Sequence, residues 1–240
     1  DSMRSYGLST RTILAIHSAL EVKESGRFRS QQNEIQNEFG EAIYTPPSQT
    51  QINSLLQNWE NFVQSDSIKI HPVIKAIIAH YQFEAIHPFA DGNGRTGRIL
   101  MVLQLVNDGI LLVPAFYISG YLKEHSNRYK ELLLEVTITK NWENFINFML
   151  VAFSIQAIKT RMILKKIHLY KLRIKREIRK DLSSIYTTEL INHLFSYPVT
   201  YAGMMESELH MTRKTAAKYL KKLEEKGFLV SKKSGKYQLY

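Results

Sequence analysis

HPFADGNGRTGR, residues 87–98, supports two readings that lead to different folds. Gly92, Gly94 and Gly97 spell G-x-G-x-x-G, a turn that holds a dinucleotide when it follows a β-strand and opens the helix of a βαβ unit. His87, Pro88 and Asp91 in front, with Arg95 and Arg98 inside and behind, describe instead a loop that handles a phosphate ester. The flanking chain decides. HPVIKAIIAHYQFEAI, residues 71–86, gathers Val73, Ile74, Ile77, Ile78 and Tyr81 on one helical side, with Pro72 suited to a first turn. No alternating strand tract surrounds the glycines, and Asp108, 14 residues beyond Gly94, comes too soon for a ribose-binding acid. The dinucleotide reading fails on context.

Outward from the loop the period is almost entirely helical. Leu8, Ile13, Ile16 and Leu20 recur at helical spacing, as do Ile52, Leu55, Leu56, Trp59, Phe62 and Val63. RILMVLQLVNDG, residues 98–109, is a nearly all-apolar helix stopped by Gly109, which implies a buried central element. Further helices are expected from about Ser119 to Val136, from Trp142 onward, and as one long basic helix over residues 150–180. EAIYTPP, residues 41–47, breaks the pattern with β-favouring residues and two prolines. It reads as one arm of a small hairpin, with FRSQQNEI as the other, or as a plain surface loop. TTELINHLF is a helix broken by Pro198. The closing stretch from Met204 reads as short helix, turn, longer helix and a hairpin turning at Lys233–Ser234–Gly235, the pattern of a winged helix-turn-helix.

Within the loop each residue type has a chemical reason to be present. Pro88 ends the upstream helix, so His87 stands where a loop begins, and Phe89 can anchor it in the core. Gly92 and Gly94 leave backbone N–H groups open just before a new helix, a ready anion site. Arg95 and Arg98 project near that same end and can grip phosphate oxygens. Asp91 is placed to hold Mg²⁺ bridging those phosphates, and His87 can accept a proton near neutral pH. Together they describe transfer of a phosphate-containing group to a hydroxyl.

This loop resembles the signature of the Fic family, HPFx(D/E)GNGRxxR, matching it at every defined position. GRFRSQQNEI, YTPPSQTQINSLLQNWENF, HYQFEAIHPF and WENFINFML are similar to the family's other segments. The resemblance implies a Fic-type helical bundle with a small β-hairpin flap over residues 1–155, a basic linker helix over 156–182, and a winged helix-turn-helix over 183–240. It implies a protein adenylyltransferase that moves AMP from MgATP to a Tyr, Thr or Ser hydroxyl of a target protein or of itself, releasing pyrophosphate. His87 would be the general base and Asp91 the Mg²⁺ ligand. Gly92, Asn93 and Gly94 would form the anion hole, and Arg95 and Arg98 would hold the β- and γ-phosphates. The flap at Ala42, Ile43, Tyr44 and Thr45 would pair with the target's backbone. Tyr129 aligns with a family aromatic near adenine, and Thr137 falls where some members carry Asn. Intact GNGR favours AMP transfer over the family's kinase-like branch, while phosphocholine or UMP transfer stays open. The family's inhibitory motif, (S/T)xxxE(G/N), is matched by Thr139, Glu143 and Asn144, but inside the core domain's own final helices. In relatives with this architecture the inhibitory helix precedes the core. Asp1 is not a natural start, so that helix is expected upstream, leaving Arg98 unpaired here.

Charge is unevenly spread over the 240 residues, which net +10. Residues 1–158 carry 13 Lys/Arg against 15 Asp/Glu, residues 159–180 carry 10 against 1, and residues 201–240 carry 9 against 4. The basic surplus therefore belongs to the last third. Thr212 could cap a recognition helix bearing Arg213, Lys214, Thr215 and Lys218, with Lys232, Lys233 and Lys236 on the wing, so duplex DNA is an expected partner. Protein docking is the even alternative. A DNA-binding regulator with a nucleotide-sensing or self-modifying domain is the second functional reading. With no cysteine, disulfides and thiolate metal sites are excluded. His71, His80 and His125 lack metal-ligand spacing and are read as bystanders. No apolar run approaches the roughly 18 residues of a membrane span, so no membrane partner is expected; the absence of an export signal and the ATP requirement favour a cytoplasmic setting, and a homodimer stays open.

Overall fold

The structure is a computed structural model that describes residues 7–20, 25–36 and 40–240. The chain divides into two compact units, residues 1–160 and 161–240. The first begins with α1 (Thr10–Ala19), whose N-cap Ser9 accepts from the Thr12 amide. Two short strands follow, β1 (Ile35–Gln36) and β2 (Ala42–Tyr44), paired antiparallel with Ile35 opposite Tyr44 and an irregularity in register between Ile35 and Gln36. A short 3₁₀ turn (Gln49–Gln51) leads into α2 (Ile52–Gln64).

At the centre lie α3 (Pro72–Ile86) and α4 (Asn93–Asn107), joined by the loop of residues 87–92. His71 caps α3 by accepting the Val73 amide at Nδ1, so this histidine has a structural task. Both helices carry apolar residues all round, which is why neither has an exposed face of any size. One core on α3 and α4 collects Ile13, Leu56, Trp59, Phe83, Phe89 and Leu100, all 2% exposed or less. The other collects Ile77, Met101, Leu105, Leu132, Phe145 and Met149. The single helix expected over 119–136 is two, α5 (Ser119–Glu124) and α6 (Ser126–Thr139). His125 separates them, its Nδ1 bound to the Tyr121 carbonyl and its ring stacked on Tyr121 at 4.0 Å.

The long helix is α7 (Glu143–Asp181). Phe145, Met149 and Ala152 near its start belong to the first unit's core, while Ile174 and Ile178 near its end belong to the second unit's. By length and composition α7 can cross a membrane: an 18-residue window has mean hydropathy 1.2, with 17% of it buried. Scattered Asn, Ser and Gln interrupt the stretch, so it holds no continuous apolar run, and the average over the window tolerates them.

The second unit packs α8 (Thr188–Ser196), α9 (Ala202–Leu209) and α10 (Arg213–Glu225) around Leu190, Ile191, Met205, Leu220 and Leu223. Strands β3 (Lys232–Ser234) and β4 (Tyr237–Leu239) pair antiparallel with Ser234 opposite Tyr237, so the turn falls at Gly235–Lys236, not one residue earlier. Thr200 and Tyr240 exchange backbone hydrogen bonds of 2.9 Å in both directions, tying the last residue to the start of α9.

Candidate functional site

The loop's shape starts from its histidine. His87 closes α3 in the left-handed region, φ 49°, an uncommon place for a side-chain-bearing residue, and donates its amide back to Phe83 at 3.0 Å. Several contacts from distant sequence hold it there. Arg29, 4% exposed, donates from Nε to the His87 carbonyl at 2.9 Å and from its backbone amide to the Pro88 carbonyl at 2.9 Å. Its terminal nitrogens reach the Gln31 and Pro47 carbonyls. Burial pulls the Arg29 pKa down from the guanidinium value, with Tyr44 acting the other way.

Next in the loop, Phe89 is fully buried and stacks on His17 at 3.6 Å with the rings 2° from parallel. His17 is itself pinned: Gly26 donates its amide to Nδ1 at 2.9 Å, so Nε2 carries the proton and donates to the Asp91 carbonyl at 2.9 Å. Asn93 completes the fold of the loop. Its Oδ1 accepts the Phe89 amide at 2.9 Å and its Nδ2 donates to the Phe89 carbonyl at 2.7 Å. The Asn93 side chain is therefore spent on the loop. What this residue can offer an anion is its backbone N–H at the first position of α4.

The His87 ring faces a cavity. Its Nδ1 stands 3.3 Å from the Glu84 carbonyl, a contact that places the proton on Nδ1 and leaves Nε2 bare. Burial holds its pKa below the ordinary histidine value, the Glu84 carbonyl opposing and Arg29 adding to the depression. His87, Tyr44, Ile43, Gly94, Arg95, Arg98 and Tyr129 all line this cavity of about 570 Å³, together with Tyr81, Thr137 and two lysines, Lys123 and Lys130. Asp91, Gly92, Asn93, Ala42 and Thr45 stand outside the lining.

Among the described residues Arg98 has no carboxylate within ion-pair distance; its Nε donates to Ser119 Oγ at 3.0 Å, which directs the guanidinium toward α5. Arg95 is more exposed and donates to Asp91 Oδ2 at 3.1 Å, while Asp91 Oδ1 accepts the Gly92 amide at 2.6 Å. Among the described residues no group of three or more His, Cys, Asp or Glu is arranged to hold a metal ion. A single exposed carboxylate with hard oxygens nevertheless fits Mg²⁺, which takes its other ligands from phosphates and water. At the far end Tyr81 Oη and Thr137 Oγ1 are 2.9 Å apart. Glu143 is exposed and outside the cavity lining, and Asn144 donates to Glu135 at 2.7 Å.

Sequence reasoning missed three residues. Arg29 and His17 act across 58 and 74 positions, a relation no local pattern reveals. Glu84 could have been suspected, being the one acid inside the apolar stretch of α3. Its neighbour His80, read as a bystander, is buried with Nε2 against Tyr129 Oη at 2.7 Å.

In the second unit Arg213, Lys214 and Lys218 project from α10 into solvent. Thr215 is turned back, donating its amide to the Thr212 cap and its hydroxyl lying 2.9 Å from the Thr212 hydroxyl. Lys232 and Lys233 are exposed on β3.

Comparison with known proteins matches residues 7–105 to the Fic/DOC family and residues 172–240 to "Protein adenylyltransferase SoFic-like, C-terminal domain". The protein adenylyltransferase Fic of Drosophila virilis is 37% identical over 101 residues, 41% of this chain and 20% of that protein. That of Aedes aegypti is 32% identical over 131 residues, 52% of this chain and 24% of that protein. The matched stretches thus span about a fifth to a quarter of the curated relatives' length. Among solved structures, a Fic family protein from Desulfovibrio desulfuricans G20 aligns with 96% of this chain and 67% of its own at TM-score 0.55 and 22% identity. Fic-1 (residues 134–508) from C. elegans aligns with 66% of this chain and 44% of its own at TM-score 0.51 and 24% identity. At these identities the likeness is one of fold.

Proposed function

From a chain that carries a Fic/DOC family domain followed by a SoFic-like C-terminal domain, we propose a protein adenylyltransferase, which moves AMP from ATP to a hydroxyl of a protein. The observation that carries this reading is the pairing of a bare histidine nitrogen with two arginines around one cavity. His87 Nε2 is free to take a proton because Nδ1 is engaged by the Glu84 carbonyl, and Arg95 and Arg98 line the same cavity. The target hydroxyl gives its proton to Nε2 as its oxygen bonds to the α-phosphorus. The bond from that phosphorus to the bridging oxygen breaks, and pyrophosphate leaves with both electrons of that bond. Arg95 and Arg98 hold the departing phosphates, and the amides of Asn93 and Gly94 at the start of α4 face the charge that builds on the α-phosphate oxygens, the Gly92 amide being engaged by Asp91 Oδ1. Mg²⁺ held by Asp91 would neutralise phosphate charge during the transfer.

The β1–β2 pair bears Ile43 and Tyr44 on the cavity wall, so a target segment adding to β2 would bring its side chain to His87. Tyr129 reaches the cavity with its ring alone, since its hydroxyl is bound to His80. Tyr81 and Thr137 are candidates for the base end. The exposed cations of α10 and β3 support a second role for residues 183–240, non-covalent binding of duplex DNA.

Incubation with ATP labelled at the α-phosphate, Mg²⁺ and cell lysate tests the enzyme reading. Label on protein with the wild type, lost in His87→Ala, is the expected result. No label, with ATP binding intact, points to another transferred group.

A further inference from the structure

The transfer chemistry leaves one buried acid without a task. Glu84 lies one turn before His87 on α3, is 9% exposed, and lines the cavity beside Arg98. Its carboxyl occupies a gap that α4 leaves open for it. A Cβ on Gly97 would come within 2.4 Å of Glu84 Oε1, so this glycine is what admits the carboxyl to the position next to Arg98. There Oε1 has no hydrogen-bond partner. His80 Nδ1 lies 4.0 Å away, while its Nε2 engages Tyr129.

A buried carboxyl with one oxygen that no donor holds is sensitive to a full charge nearby, and the one that acts on it is Arg98. Among the described residues that guanidinium is tethered at Nε, to Ser119, and it shares the cavity wall with Glu84, so its terminal nitrogens are open to a carboxylate or a phosphate there. Resting on the nucleotide reading above, we propose that Glu84 is a positioning residue for Arg98. Uncharged, it cedes the guanidinium to the phosphates of a bound nucleotide; charged, it competes with them for it.

Burial raises the Glu84 carboxyl to about 7, against the opposing pull of Arg98, so both states are populated near neutrality. The groups around it do not change charge in step. On its own helix His80 is pushed down to about 4 and His87 below its ordinary value, and both stay neutral at pH 7 and above. On α6 Tyr129 is pushed well above the ordinary phenol value. Tyr44 and Tyr81, Arg95 of α4, Lys123 of α5 and Lys130 of α6 also line the cavity.

Calorimetric titration with a non-hydrolysable ATP analogue in excess Mg²⁺, from pH 6.5 to 8.5, compares the wild type with Glu84→Gln. Wild-type affinity is expected to fall as pH rises, by tenfold for each unit by which bound phosphate lifts the carboxyl. Glu84→Gln should lose that slope and bind more tightly than the wild type at pH 8.5. At pH 8, binding to the wild type should also take up a proton, seen as heat that depends on the buffer's ionisation enthalpy. Equal slopes in the two proteins, or no proton uptake by the wild type, would overturn the assignment of Glu84 while leaving the nucleotide site standing. No binding by either protein at any pH would overturn the nucleotide reading itself.

Discussion

Arg29 donates from Nε to the carbonyl of His87 at 2.9 Å, and this contact secures a histidine backbone that has turned into the left-handed region. A charge-assisted hydrogen bond to a buried carbonyl contributes on the order of 1.5–3 kcal/mol. Displacing a catalytic group by about 1 Å can cost on the order of 10²-fold in rate. Arg29→Ala should therefore lower the melting temperature and reduce AMP transfer by about 10²-fold, with ATP affinity changed far less. Calorimetry of unfolding and of nucleotide binding, beside a transfer assay, separates the two effects.

Arg29 also bears on acidity. A histidine acts as a base only when neutral, and the His87 pKa is depressed, so transfer should rise with pH through a midpoint below about 6.5. Removing the positive charge in Arg29→Gln should move that midpoint upward, because Arg29 is one cause of the depression. A pH–rate profile with unchanged midpoint would show that the charge of Arg29 does not reach the base.

Stability should report the buried acid independently of any ligand. The folded-state pKa of Glu84 lies at about 7, above its ordinary value of 4.5. Its neutral form therefore favours folding fully below pH 4.5, and that contribution is lost as pH rises through 7. Glu84→Gln should match the wild type at pH 4.5 and exceed it at pH 8 by an amount on the order of a few kcal/mol. Urea unfolding at the two pH values measures the difference.

Gly97→Ala tests the gap that admits this carboxyl. The added methyl would lie 2.4 Å from Glu84 Oε1 and 3.0 Å from Phe83 Cδ1, both packed inside the core. Overpacking of this kind costs about 1–3 kcal/mol, to be read as a lowered unfolding midpoint. Pairing it with Glu84→Ala should recover part of the loss, since the two changes share one space.

In the second unit, phosphate contacts made by Arg213, Lys214 and Lys218 would each add to the salt dependence of duplex binding. Lys214→Ala with Lys218→Ala should flatten the slope of log K against log salt by about two. Binding that is absent at low salt in the wild type would leave α10 as a surface for protein contacts.

The loop between α3 and α4 was legible because its chemistry is written in consecutive residues, and the helices because their apolar spacing is long and regular. The break at His125 was not, since Tyr121, Leu122, Tyr129 and Leu132 keep helical spacing across it while the kink depends on a ring packed against Tyr121. Arg29 and His17 were illegible for a different reason. A lone arginine and a lone histidine carry no signal until tertiary contact brings them to the backbone they serve. The side chain of Asn93 shows the converse: its motif position suggested an anion ligand, and the fold turns it inward as a clasp on Phe89.

That clasp decides how the loop meets its ligand. With Phe89 pinned at both its amide and its carbonyl, and Asp91 held by His17, the conformational freedom of residues 87–93 is surrendered when the protein folds. An arriving nucleotide has no ordering penalty to meet at this loop, so its capture should proceed at a pace set by encounter. The two short strands are held separately, by Tyr44 to the Ala85 carbonyl and by the Pro47 contact of Arg29. If the proposed transfer holds, side chains on these strands could change without disturbing the loop that carries His87.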